Sequence, residues 1–172
     1  MMKRLLSVSI FSIFIGGCQL NNVIADNAIA DNTPKYPEYI QSGQTLPLTS
    51  IENVDGETVD LANPKKQKLV ILFATWCSDS NRALKALNDS PLLDDENIEV
   101  VAIAREESTE QVIKWRDENG IKVPLAVDPD RKIYSQFAQG GIPRMITVTQ
   151  DNKIIKMNLA EGENQLELIE WL

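Results

Sequence analysis

Cys77 lies in Thr75-Trp76-Cys77-Ser78-Asp79-Ser80, directly after the apolar run Lys68 to Ala74 and ahead of a segment with helical spacing. A thiol placed where a buried strand gives way to a helix meets free backbone N–H groups and the positive end of the helix dipole. Both favour the thiolate, which is the nucleophilic form. Trp76 can cover one side of the sulfur and leave it partly exposed. A buried, inert cysteine is the common alternative, and position alone leaves both readings open. A second feature is Gly140-Gly141-Ile142-Pro143, just before the strand-like Met145 run. Ile-Pro at a strand entrance invites a cis peptide bond.

The other cysteine, Cys18, belongs to an address. Lys3 and Arg4 precede the apolar run Leu5 to Ile15, which is too short to span a bilayer and fits a signal-peptide core. Ile15-Gly16-Gly17-Cys18 follows. Small residues before a cysteine resemble the lipobox of bacterial lipoproteins. The resemblance implies a signal peptide over 1–17, cleavage before Cys18, and lipidation of Cys18. Several acyl chains anchor a protein stably where one would not. The expected location is the cell envelope, on a membrane and facing the periplasm. Gln19 in place of Asp favours the outer membrane in enterobacteria-like hosts.

Composition narrows the chemistry. Histidine is absent and there are only two cysteines, so Ser-His-Asp and Cys-His catalysis are excluded, as are His-containing metal sites, zinc ribbons and iron–sulfur sites. No metal and no cofactor is expected. With Cys18 lipidated, no internal disulfide is possible. The formal net charge is -8, and loss of Lys3 and Arg4 makes the mature chain more acidic still. Such a surface repels phosphate backbones, so nucleic acid is not an expected partner.

These residues need elements to position them. Residues 18–42 carry the near-repeat Ile24-Ala25-Asp26-Asn27 and Ile29-Ala30-Asp31-Asn32, then Pro34 and Pro37, and read as a flexible tether. The folded domain is expected over 43–172. Leu46 to Leu48 and Val54 to Leu61 frame Asp55-Gly56, which predicts an N-terminal hairpin. Lys68 to Ala74 and Ile98 to Ala104 read as buried strands. Ser78 to about Asn88 reads as a helix, with Ala83, Leu84 and Leu87 on one side. Ser108-Thr109-Glu110-Gln111 is a capping box opening a helix that stops at Gly120. Val123 to Val127 is a short strand. Asp128-Pro129-Asp130 turns into a short helix, Met145 to Thr149 and Ile154 to Leu159 form a hairpin, and Leu166, Ile169 and Leu172 give a closing helix its apolar face. The order predicts an α/β sandwich whose mixed central sheet is flanked by helices.

Taken together, these features resemble the thioredoxin superfamily, in particular the TlpA/ResA-type branch of anchored thiol–disulfide oxidoreductases. The matching stretches are Gly43 to Leu61, Phe73-Ala74-Thr75-Trp76-Cys77, Val123-Pro124-Leu125 with Asp128-Pro129-Asp130, Gly141-Ile142-Pro143, and Asn152-Lys153-Ile154. The resemblance implies a thioredoxin-like three-layer sandwich. It implies that Cys77 attacks a disulfide in a protein or small-thiol partner, and that a cis Pro143 packs near the sulfur. An extended substrate would pair with the backbone of Ile142 by strand addition. The family's Cys-x-x-Cys is here Cys-x-x-Ser, with Ser80 in the resolving place. Ile71 and Ala83 stand where relatives often carry an acid.

A serine hydroxyl cannot resolve a mixed disulfide. The expected enzyme is therefore a monothiol exchanger, with Ser80 supporting the Cys77 thiolate and an external thiol or membrane reductase freeing the substrate. The alternative is a non-catalytic thioredoxin-fold binding lipoprotein. A one-cysteine peroxidase ranks below both. Peroxiredoxins use a threonine three residues before the cysteine, where this chain has Ala74, with Thr75 one step late. Asp128-x-Asp130 starts like an EF-hand loop but continues with Lys132, so it reads as a turn. Trp115 and Trp171 read as core or surface cover.

Overall fold

A computed structural model of the chain describes residues 35–171. The basic and apolar leader, Cys18 and the tether up to residue 34 lie outside the described residues, as does Leu172. Ser50–Glu52 (β1) and Thr58–Asp60 (β2) form the antiparallel N-terminal hairpin, with Asp55-Gly56 in its turn. Gly56 sits at φ 82°, a left-handed conformation that glycine adopts without steric cost.

The main sheet has five strands. Gln67–Phe73 (β3) is central, and the others are Ile98–Arg105 (β4), Leu125–Asp128 (β5), Arg144–Val148 (β6) and Ile154–Leu159 (β7), in the order β5-β4-β3-β6-β7. β3, β4 and β5 are parallel, whereas β6 is antiparallel to β3 and β7 to β6. The continuous apolar sequence of β3 follows from burial on both faces. Its odd residues Leu69, Ile71 and Phe73 pack on one side, with Ala83, Leu84 and Leu87 of Ser78–Asn88 (α1) and Val112 of Thr109–Asn119 (α2). Val70 and Leu72 face the other side. There they meet Val59 and Leu61 of the hairpin region, and Tyr134 and Phe137 from a 3-10 turn at Tyr134–Gln136. The fold is the expected thioredoxin-like α/β sandwich.

The capping box at α2 forms as its sequence dictates. Ser108 Oγ accepts from the Gln111 N–H, the Gln111 side chain accepts from the Ser108 N–H, and Gly120 ends the helix at φ 62°.

Besides the first hairpin strand, which is Ser50–Glu52 rather than Leu46 to Leu48, two stretches differ from the sequence expectation. The closing helix is only a 3-10 turn, Gln165–Leu168. Leu166 and Ile169 still pack on the core. However, Glu163, Glu167 and Glu170 stand at helical spacing with like charge, and Asn164 enters at φ 55°; both oppose an α-helix. The second stretch is the end of the expected tether. Pro37 to Ile40 is bonded to the domain: Tyr39 N–H donates to Phe137 O, Gln139 N–H donates to Pro37 O, and Ile40 is buried.

Candidate active site

β3 ends at Phe73, and α1 begins at Ser78 with Cys77 as its N-cap residue. The four residues between the elements are held from several directions. Cys77 N–H donates to Ala74 O at 3.2 Å. Asn81 Nδ2 donates to the carbonyls of Thr75 and Cys77, each at 2.7 Å, and Trp115 Nε1 fixes the Asn81 amide by donating to its Oδ1 at 2.8 Å. Trp115 also packs against Phe73. Thr75 N–H donates to Glu107 Oε2 at 2.8 Å, and the Thr75 hydroxyl donates to Glu107 Oε1. Glu107 is buried, so its carboxylate takes its solvation from Thr75 rather than from water.

Cys77 is half-buried and free. Its thiol points across to the 140–143 loop and donates to Ile142 O, with Sγ 3.8 Å from the oxygen. The Ile142–Pro143 bond is cis, and both residues are buried. Trp76 is two-thirds exposed (66%). Its ring stacks near Arg105, whose guanidinium lies 5.8 Å from the ring centre and 4.9 Å from that of Tyr134. The structure thus brings Trp76, Cys77, Ile142 and Pro143 to one end of the sheet. Ser80 is also close in sequence but fully buried, and its Oγ accepts from Ala74 N–H at 3.5 Å. Among the described residues, no hydrogen bond joins Ser80 to Cys77 Sγ. Cys18, the expected lipidation site, lies outside the described residues.

Ile71 and Ala83, which replace the acids of relatives, are sealed in apolar packing. The carboxylate nearest the turn in bonding terms is Glu107, which sequence reasoning missed. A signal was present. Glu107 follows the C-terminal end of β4, a parallel strand beside β3, and ligand-facing groups collect at the carboxyl ends of such strands. Asn81, Trp115, Arg105 and Tyr134 were also missed as parts of the site. The turn at Asp128 is structural, as expected: its carboxylate accepts from Tyr134 N–H at 2.7 Å.

A strand-to-helix cysteine facing a cis-proline loop on this sheet defines a thioredoxin-like protein. More narrowly, the chain belongs to the AhpC/TSA family, whose profile matches residues 42–157. It is 24% identical over 133 residues to a thiol-disulfide oxidoreductase, ResA, of Bacillus thuringiensis (strain Al Hakam), covering 76% of this chain and 77% of the relative. It is 26% identical over 128 residues to a "putative peroxiredoxin" of Mycobacterium tuberculosis, covering 66% of this chain and 81% of that one. Among solved structures, it is similar to a "putative protein disulfide isomerase" of Bacteroides thetaiotaomicron. There the TM-score is 0.69 at 24% identity, with 77% of this chain and 87% of the other covered.

Proposed function

We propose that this protein is an envelope thiol–disulfide exchanger that works with one thiol. The observation that carries the reading is the Cys77 sulfur at the start of α1, facing Ile142 O at 3.8 Å in the cis-proline loop. The Cys77 thiolate attacks one sulfur of a partner disulfide. A Cys77–S bond forms, the partner's S–S bond breaks, and the other partner sulfur leaves as thiolate. An external thiol or membrane reductase then attacks the mixed disulfide and restores the Cys77 thiolate, being oxidised in its turn. An extended protein substrate has a place to pair, because the Ile142 N–H has no acceptor among the described residues. The kinship to ResA supports this chemistry.

Ser80 favours a second reading, a docking lipoprotein without turnover. Its hydroxyl is engaged with Ala74 instead of supporting the thiol. Incubating the protein with a peptide disulfide separates the two. The exchanger accumulates an adduct at Cys77 that dithiothreitol removes, and Cys77→Ala forms none. Absence of any adduct in the wild type hands the function to docking. The peroxidase reading, suggested by the mycobacterial relative's name, is weakened by geometry: the Thr75 hydroxyl is turned to Glu107.

The reading extends to the anchor. Residues 1–17 are a cleaved signal, Cys18 is lipidated and joins the protein to a membrane facing the periplasm, with the outer membrane favoured, and the tether runs up to the docked segment at 36. Mass spectrometry of the N-terminal peptide from native membranes tests this. A lipid-modified Cys18 supports it, and an unmodified Cys18 removes it.

A further inference from the structure

Four successive carbonyls in the loop facing Cys77 are each held by a different donor. Gly140 O accepts from Arg144 Nη2 at 2.7 Å and Nε at 3.2 Å. Gly141 O accepts from the Tyr134 hydroxyl at 2.6 Å. Ile142 O faces Cys77 Sγ, and Pro143 O accepts from Ala160 N–H at 2.9 Å. Three of these donors need nothing from outside the expected domain. Arg144 is different. It is wholly buried (0% exposed), and its charge is met by Glu38, which lies outside the expected domain and before the hairpin. A buried guanidinium stays where its carboxylate is.

Glu38 is not a loose surface arm. It forms a β-bridge with Ala138. Two residues earlier, the Tyr36 ring lies on Gly140 and Gly141. A Cβ at Gly140 would stand 2.9 Å from Tyr36 Cδ1, and one at Gly141 would stand 2.8 Å from Cδ2. The Gly-Gly pair is therefore required by the approach of this ring, and at Gly141 also by its φ of 84°. The segment grips the loop twice, once through a charge and once through a ring.

We infer that Tyr36 and Glu38 are positioning residues for substrate: the segment 36–40 clamps the 140–143 loop so that the Ile142 backbone can pair with an extended peptide disulfide. This rests on the exchange reading above. It makes a distinction that reading does not. A peptide disulfide needs both the thiol and the loop, whereas a small reagent needs the thiol alone. Loosening the clamp costs the first reaction and spares the second.

The test uses the full chain and reads the Cys77 peptide by mass spectrometry. Rates are measured for a peptide disulfide, oxidised glutathione and iodoacetamide, in wild type, Glu38→Gln and Tyr36→Ala. Tyr36→Ala keeps the ion pair and serves if Glu38→Gln folds poorly. The expected result is a loss of about tenfold or more with the peptide disulfide, a misplacement-sized effect, with the other two rates within about twofold. Amide hydrogen exchange at Gln139, which donates to Pro37 O, and at Ala160, which donates to Pro143 O, should quicken about tenfold in both variants, with β3 unchanged. Equal losses with all three reagents, or unchanged peptide rates, overturn the clamp. If wild type forms no disulfide adduct the exchange reading fails, and the hydrogen-exchange arm alone still decides whether the segment holds the loop.

Discussion

Two buried cations sit on neighbouring strands at opposite ends of the sheet, and they are treated differently. Lys68, near the start of β3, is wholly buried and donates only to backbone carbonyls, Thr149 O at 3.3 Å and Gln150 O at 3.0 Å. Burial pushes its pKa below the usual 10.5, with Asp60 and Asp151 opposing more weakly. Arg144, at the start of β6 beside the candidate site, is equally buried but has a carboxylate brought from Glu38. The same contrast runs through the two ends. Around Cys77, polar groups are paired by side chains: Glu107 to Thr75 and Trp115 to Asn81 across more than thirty residues, and Tyr134 to Gly141 within one loop. At the far end, the Lys68 ammonium is met by backbone carbonyls of the turn after β6. Side-chain partners fix geometry as well as satisfying charge, and the Cys77 turn and Arg144 both have them.

The comparison can be broken first at Glu38. Glu38→Gln leaves the Arg144 guanidinium buried without its counter-charge, and the expected loss in a denaturant melt is about 3 kcal/mol. A loss no larger than that of an exposed pair would mean that Arg144 relaxes into water and the two cations are alike. Next comes Asn81. Asn81→Ala removes the donors to Thr75 O and Cys77 O and strands Trp115 Nε1. The expected cost is about 2 kcal/mol, accompanied by a changed tryptophan emission.

The smallest effect belongs to Lys68 and has the opposite sign. Lys68→Met removes a charge whose desolvation is poorly offset, so the variant should be about 1 kcal/mol more stable at neutral pH. The folded state holds the Lys68 proton less tightly than the unfolded state. Above the folded pKa the unfolded chain therefore binds more protons, and wild type gains stability as pH rises towards 10.5. The gap between variant and wild type should close over that range. A gap that stays constant with pH would show that Lys68 is solvated after all.

What was legible in the sequence was local. The Cys77 turn, the Ser108 capping box, the Gly120 stop and the Ile142-Pro143 pair each carry their signal within a few residues. The alternation of strands and helices was enough for a mixed sheet flanked by helices, though not for its strand order. The clamp was not legible, because Pro34 and Pro37 mark the segment as a tether and its partners lie about a hundred residues away. Gly140-Gly141 stood out as a loop, but its reason, the Tyr36 ring, is non-local. Glu107 hid among exposed acids, since sequence does not say which carboxylate of Glu106-Glu107 turns inward. The closing helix failed for the converse reason: its apolar spacing was right for packing, while the charges between those positions opposed the backbone form.

The central claim is that Cys77 exchanges as a single thiol, with no resolving cysteine among the described residues. The lifetime of its mixed disulfide tests this most directly. A peptide adduct is formed at Cys77, excess reagent is removed, and its decay is followed by intact-protein mass spectrometry in wild type and Ser80→Cys. The account predicts a wild-type adduct that persists until an external thiol is added, and a Ser80→Cys adduct that clears unaided as an internal disulfide forms. A wild-type adduct that clears without added thiol, or a Ser80→Cys adduct that lasts as long as the wild type's, would contradict it.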